Sequence, residues 1–286
     1  MKVLILKTGH SETLDPEISQ SASLGDVLRS TVILHPFQNE HITWVTDKTA
    51  YPLLHGIPCI SRLLNWDFDT ALQLLFEKYD IVVNLEKSPG VCALASRIDA
   101  WQKYGFRFDD INGEARGYKE SLGAFSTYID SDAKKQSDRP WQDVLYEMIG
   151  MKWTEERYLM GITPTSEMVK GKIGLNYKIG AKFPEKAWPY FDELYDAVPK
   201  ADYQQGDNLQ DYVNWINSCE VIVTNDSLGL HLAIVLRRKF VALFGPTSHH
   251  EVFTYGLGTK MISVDGDMKS VYASNVKEEV LKLLAA

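Results

Sequence analysis

Cysteine is scarce in this chain: Cys59, Cys92 and Cys219 are the only three in 286 residues, far apart and odd in number. That spacing offers no disulfide framework, no CxxC pair and no Cys/His cluster of metal-ligating type. Reduced thiols in a cytoplasmic protein are expected, with Cys92 and Cys219 in apolar, core-forming stretches. Long hydrophobic runs are missing too. No stretch approaches the roughly 20 apolar residues that span a bilayer. The opening residues, Met1 to Thr8, are too short a run for a secretory signal and read as a first strand. A soluble chain is expected, and peripheral contact with a membrane surface is compatible with it.

Basic side chains do not predominate. Thirty Lys and Arg against 38 Asp and Glu give a formal net charge of -8 and a pI near 5.4. A protein that grips nucleic acid through its phosphates shows the opposite balance, so a nucleic-acid partner is disfavoured, although one local basic pocket is not. Four signatures are also absent: GxGxxG after a strand, GxxxxGK[ST], HExxH and GxSxG. Nicotinamide, P-loop, zinc-protease and hydrolase-elbow chemistry lose their sequence support.

What remains is ordinary folded composition, 45% hydrophobic and 24% charged, arranged with a clear rhythm. Short Val/Ile/Leu runs predict strands at 2–7, 41–46, 81–85, 172–177, 220–224, 240–244 and 260–264. Amphipathic stretches predict helices at 25–35, 68–78, 90–103, 141–151, 186–196, 209–218, 229–237 and 274–284. Continuous apolar strands separated by helices indicate parallel sheets covered on both faces. The rhythm stalls between Phe106 and Pro164 and restarts at Lys172. Two α/β domains are therefore expected, 1–165 and 166–286.

Ligands of open parallel sheets collect at strand carboxyl ends beside helix N-termini, which singles out three segments. In Ser23–Thr31, Asp26 at the start of a helix is either a cap favoured by the helix dipole or a carboxylate placed to accept a hydroxyl proton. In Val221–Ala233 a strand runs into Asn225, Asp226 and Ser227, and a helix start there is a ready anion site. Asp226 and Ser227 also suit simple capping, and His231 beside Leu230 and Leu232 also suits a core histidine. The following strand ends in Gly245, Thr247 and Ser248, so two polar turns on consecutive strands converge. The third segment, Gly174–Trp188, carries Lys178, Lys182 and Lys186, which either neutralise a diphosphate or lie solvated along the surface.

Together these segments resemble glycosyltransferase family 9, the ADP-heptose:lipopolysaccharide heptosyltransferases. Leu24-Gly-Asp-Val-Leu-Arg29 is similar to the family's amino-terminal LGDVLRTT signature. Asn225 to Ala233 followed by Val241 to Thr247 is similar to its ND[ST]Gx[MS]H…ALFGPT block. Gly174-Leu-Asn176 with Phe183, Pro184 and Trp188 is similar to its donor loop. The chain departs from the pattern at Leu228, where glycine is common and Gly229 follows one place later. It also has Ala181, next to Lys182, at the usual lysine position, and an insert over Gly9–Ala22.

The resemblance implies a GT-B fold, two Rossmann-like domains facing each other across a cleft. The amino-terminal domain would take the acceptor and the carboxy-terminal domain the nucleotide-sugar. It implies inverting transfer without a bound metal or other required cofactor, from ADP-heptose or a similar donor to a glycan or glycolipid such as lipopolysaccharide core. The expected location is the cytoplasm, extending to the cytoplasmic face of the inner membrane. Asp26 would be the general base, with Gly25 and Arg29 on the acceptor side. Asn176, Lys178, Lys182, Lys186, Asp226, Ser227, Gly229, His231, Gly245, Thr247 and Ser248 would serve the donor, with the N–H groups within 226–229 and 246–248, Pro246 having none. Two rival readings are a catalytically silent sugar-nucleotide or glycan-binding module on this fold and, on fold analogy alone, a dinucleotide oxidoreductase.

Overall fold

A computed structural model describes residues 1–10, 21–129, 133, 136–180 and 182–286, so residues 11–20 of the insert and Ala181 lie outside the described residues. The chain divides into two compact units, Met1–Gly161 and Ile162–Ala286.

In the first unit the elements run β1 (Lys2–Leu6), α1 (Leu24–Ser30), β2 (His41–Thr46), α2 (Tyr51–Leu54), β3 (Ile60–Asn65), α3 (Phe68–Leu74), β4 (Lys78–Asn84), α4 (Pro89–Arg97), β5 (Asp99–Asp109), β6 (Glu114–Gly117), α5 (Leu122–Ile129) and α6 (Trp141–Met148). The sheet order is β3-β2-β1-β4-β5-β6, parallel except for the antiparallel β5–β6 pair. In the second unit they run β7 (Ile173–Asn176), α7 (Phe191–Ala197), β8 (Ala201–Tyr203), α8 (Leu209–Ser218), β9 (Val221–Asn225), α9 (Leu228–Val235), β10 (Lys239–Phe244), β11 (Gly258–Ile262) and α10 (Ala273–Ala285). That sheet is parallel throughout, with the order β11-β10-β9-β7-β8.

The central strands are apolar because helices cover both faces. Val3 to Leu6 and Val221 to Val223 are all 0% exposed, and burying such a side chain is worth about 1.5–3 kcal/mol. Strand order then fixes where a ligand can sit. Connections leave in opposite directions from β1 and β4 in the first sheet, and from β7 and β9 in the second. The crevice at a sheet's carboxyl edge opens at such a switch point.

The structure adds four strands that apolar runs do not announce: β3, β5, β6 and β8. The helix expected over 90–103 ends at Arg97, where Ile98 turns extended (ψ 135), and β5 begins at once. The stretch from Phe106 to Pro164 holds the β5–β6 hairpin, α5 and α6 rather than one helix. The helix expected over 25–35 is α-helical only to Ser30 and continues as a 3-10 helix over Thr31–Phe37, a stretch that opens on three β-branched residues and contains Pro36.

One glycine secures the β4–β5 junction. Gly105 has φ +83, and a Cβ there would stand 1.9 Å from the Asn84 carbonyl oxygen. Gly105→Ala combines left-handed strain with a backbone clash, and a loss of about 3 kcal/mol or more is expected. Urea denaturation checks this as a lowered midpoint at unchanged slope.

Candidate functional site

The crevice of the first unit gathers four charged side chains. Beyond the end of β1, Lys7 is fully buried. Asp26 lies in the first turn of α1 at 3% exposure. Ser23, not Asp26, is the N-cap of that helix, so the capping reading of Asp26 does not describe its position. Its Oδ1 accepts from Arg29 Nε at 3.0 Å and faces Arg29 Nη2 at 2.9 Å, while Oδ2 pairs with Lys7 Nζ. Lys7 Nζ also lies 3.2 Å from Oε1 of Glu86, which is fully buried two residues beyond β4. The Arg29 guanidinium lies 4.5 Å over the Trp141 ring of α6, so it packs on an aromatic face as well as pairing with charge.

Burial pushes the Asp26 carboxyl up, but the Lys7 and Arg29 charges outweigh burial and hold it well below the usual carboxylate range. Asp26 is therefore ionised at any working pH and is a weak base. Gly25 is buried beside it. Lys7 and Glu86 are neighbours in this cluster that motif reading misses. The available signal is a charged residue at each end of two apolar strands that flank the switch point.

The second crevice is built around Asn176, at the end of β7 and fully buried. Its Nδ2 donates to Thr224 Oγ1 at 2.7 Å and to Ser227 Oγ at 3.1 Å, and its Oδ1 accepts from the Tyr212 hydroxyl at 2.6 Å. Thr224 and Tyr212 are further residues the motifs do not single out. Ser227 caps α9 by position, with its side chain turned to Asn176 rather than to the helix N–H groups. Gly229 sits where a Cβ would come within 2.3 Å of Asn176 Nδ2 and 2.6 Å of the Tyr212 hydroxyl. The glycine one place late in the motif thus has a local cause.

Asp226 is held by Lys186 Nζ at 2.9 Å and by the Thr247 hydroxyl, which donates to its Oδ2 at 2.9 Å. Burial raises its carboxyl, yet Lys186 and the nearby His231 hold it far below the usual range. His231 itself is 5% exposed. The backbone N–H of Asp226 donates to Leu243 O at 3.2 Å, so it is committed to the sheet and not to an anion.

The three lysines separate. Lys186 joins Asp226, Lys178 is exposed with its Nζ 5.9 Å from the Tyr177 ring, and the Lys182 ammonium is shielded from solvent. Gly245 and Ser248 flank Thr247 at the end of β10, half-buried. Among the described residues, no group of three or more His, Cys, Asp or Glu is arranged to hold a metal ion.

With this geometry in place, comparison with known proteins gives a consistent class. The fold is GT-B, built of two Rossmann-like α/β units. The structure of E. coli ADP-heptose LPS heptosyltransferase II matches with a TM-score of 0.67 at 17% identity, covering 100% of this chain and 99% of that one. A family 9 glycosyl transferase from Veillonella parvula matches at 0.65 and 17%, covering 99% and 97%. E. coli heptosyltransferase WaaC with ADP-2-deoxy-2-fluoro heptose matches at 0.64 and 15%, covering 99% of each chain.

Over part of its length the chain is similar to glycosyltransferase family 9, the family its motifs resemble. The family model described as "Glycosyltransferase family 9 (heptosyltransferase)" matches residues 207–281. Lipooligosaccharide heptosyltransferase 2 of Haemophilus influenzae is 28% identical over 113 residues, a match spanning 32% of this chain and 33% of that protein.

Two outcomes follow from the geometry. Gly229→Ala forces Asn176 and Tyr212 out of register and is expected to cost about 1–3 kcal/mol, measured by thermal or urea unfolding. Asp26 and Asp226 both have folded-state pKa values below their unfolded value of about 3.9. Their stabilising contribution is present in full above about pH 5 and is lost as pH falls toward the folded values. Asp226→Asn should therefore cost most above pH 5, and its gap from the parent protein should narrow when unfolding is measured down to pH 3.

Proposed function

We propose that this protein is an inverting, metal-independent glycosyltransferase that moves a heptose from an ADP-linked donor to a cell-envelope glycan such as lipopolysaccharide core. The observation that carries the reading is an ionised carboxylate at the carboxyl edge of each sheet, Asp26 buried and Asp226 partly buried, each within a segment that resembles a family 9 motif. The first unit would take the acceptor and the second the donor. ADP and heptose come from one neighbour, E. coli heptosyltransferase WaaC, described once with ADP and once with ADP-2-deoxy-2-fluoro heptose.

The chemistry suits the residues. As the bond from the sugar carbon to the diphosphate breaks, the carbon gains oxocarbenium character and the leaving group gains charge. An acceptor hydroxyl arriving on the opposite face inverts the centre. Once its oxygen begins to bond the carbon, the hydroxyl proton becomes strongly acidic. A base as weak as Asp26 then suffices, and its constant ionisation keeps it ready. In this reading Gly25 and Arg29 shape the acceptor side.

On the donor side, the first-turn N–H groups of α9, with Lys178, Lys182 and Lys186, would stabilise the departing diphosphate by preorganised charge. Lys186 and His231 offset Asp226, whose bare carboxylate would otherwise repel phosphate. Asn176, Ser227, Gly229, Gly245, Thr247 and Ser248 would shape the same site. An acceptor anchored in lipid would bring the enzyme to the cytoplasmic face of the inner membrane as a peripheral visitor. Among the described residues no helix is long and apolar enough to cross a membrane.

A panel of nucleoside diphosphates and their sugars tests the reading by thermal shift. A true donor at 100 times its Kd should stabilise the protein by about 2.7 kcal/mol, and labelled sugar should then pass to a lipopolysaccharide-core acceptor. Binding without transfer would favour the silent sugar-nucleotide-binding module instead. Asp26→Asn should keep donor binding and lose transfer by about 10²–10⁴-fold. It should also cost about 3–5 kcal/mol of stability, because it leaves Lys7 and Arg29 short of a buried partner. Near-normal transfer by a folded Asp26→Asn protein would remove Asp26 from the role of base.

A further inference from the structure

Glu86 has no part in the motifs, yet it is 0% exposed and sits at the centre of the first crevice. Two groups meet on its Oε1: Lys7 Nζ at 3.2 Å and the backbone N–H of Gly9 at 2.8 Å. Its own backbone is fixed by Asn84, which accepts the Glu86 N–H at 3.0 Å through Oδ1 and donates to Glu86 O at 3.1 Å through Nδ2. Asn84 Nδ2 also donates to Phe106 O at 2.8 Å. Glu86 is thus held rigidly from below, by β4 and β5, while it holds two things above.

The first is Lys7, which stands between the Glu86 and Asp26 carboxylates. The second is Gly9, whose carbonyl accepts the Ser23 N–H at 2.8 Å. That bond joins the two ends of the Gly9–Ala22 insert directly in front of α1, the helix that carries Asp26. Asp26 has about four lone-pair sites, and Arg29 Nε, Arg29 Nη2 and Lys7 occupy three of them. The remaining one is on Oδ2, the enclosed oxygen that Lys7 pairs with, so its direction depends on where Lys7 is drawn.

We propose that Glu86 is a positioning residue for transfer. By dividing Lys7 with Asp26 and anchoring Gly9, it sets how firmly Lys7 holds Asp26 Oδ2 and fixes the stem of the insert in register with it. This inference rests on the reading of Asp26 as the base. Glu86→Gln retains a carbonyl oxygen for Gly9 but loses the charge that draws Lys7 away from Asp26.

Two measurements test it. On transfer, the folded Glu86→Gln protein should lose about tenfold or more in kcat, with KM for the donor within twofold. Its solvent deuterium isotope effect on kcat should rise, and Glu86→Asp should recover part of the rate. A merely structural role would lower thermal stability while leaving the isotope effect and the kcat of the folded fraction unchanged, and that outcome overturns the proposal.

Independently of activity, a double-mutant cycle of Glu86→Gln with Asp26→Asn, read by urea unfolding, should show non-additive losses, because both carboxylates act on one lysine. Additive losses overturn the proposal whatever the substrate. Coupled losses in a protein that transfers no sugar would instead retire the enzymatic reading and leave the shared lysine in place.

Discussion

Asp26 carries its charge out of reach of solvent, and that can persist only if opposite charge is built in beside it. An isolated carboxylate in such a place would neutralise itself by taking up a proton. Here Lys7 comes from the end of β1, Glu86 from beyond β4 and Arg29 from the carboxyl end of α1. The ion network therefore ties together the three elements that surround the switch point. The sheet order brings the charges together, and the charges in turn oppose any slippage of that order. A buried network of this kind adds little net stability over an apolar core, but it strongly penalises loss of a single member.

The second unit solves the same problem differently. Asp226 is paired with Lys186, which arrives from the loop after β7, and accepts a hydrogen bond from the hydroxyl of Thr247, in the turn after β10. The Lys186 and Asp226 side chains are 12% and 17% exposed, against 0% and 2% for Lys7 and Asp26. The first pair is sealed and fixes one geometry. The second is less enclosed.

Much of this was legible in the sequence, and the gaps have physical causes. Strands such as β1, β9 and β10 announce themselves because both faces are covered and nearly every residue is apolar. β3, β5 and β8 lie at or toward sheet edges and are largely half-buried or exposed, so their polar residues mask them. Asp26, Asp226 and His231 stand in local motifs and could be read from neighbours in the chain. Glu86 could not: it meets Lys7 only because β1 and β4 pair in parallel, with Leu6 opposite Asn84. Register of that kind is a property of two distant segments. The three lysines were equally ambiguous, since spacing treats them alike while the fold gives each a different surrounding.

The glycine at 229 shows how such surroundings bind positions to one another. Asn176 and Tyr212 fill the space that any side chain at 229 would need, although the three residues lie on different elements. The order of change is therefore constrained: position 229 can gain a side chain only after 176 or 212 has become smaller. A shift of the motif's glycine by one place is then no loose variation. It is one move in a linked set, required wherever an asparagine and a tyrosine hold the other two corners, and hard to reverse one substitution at a time.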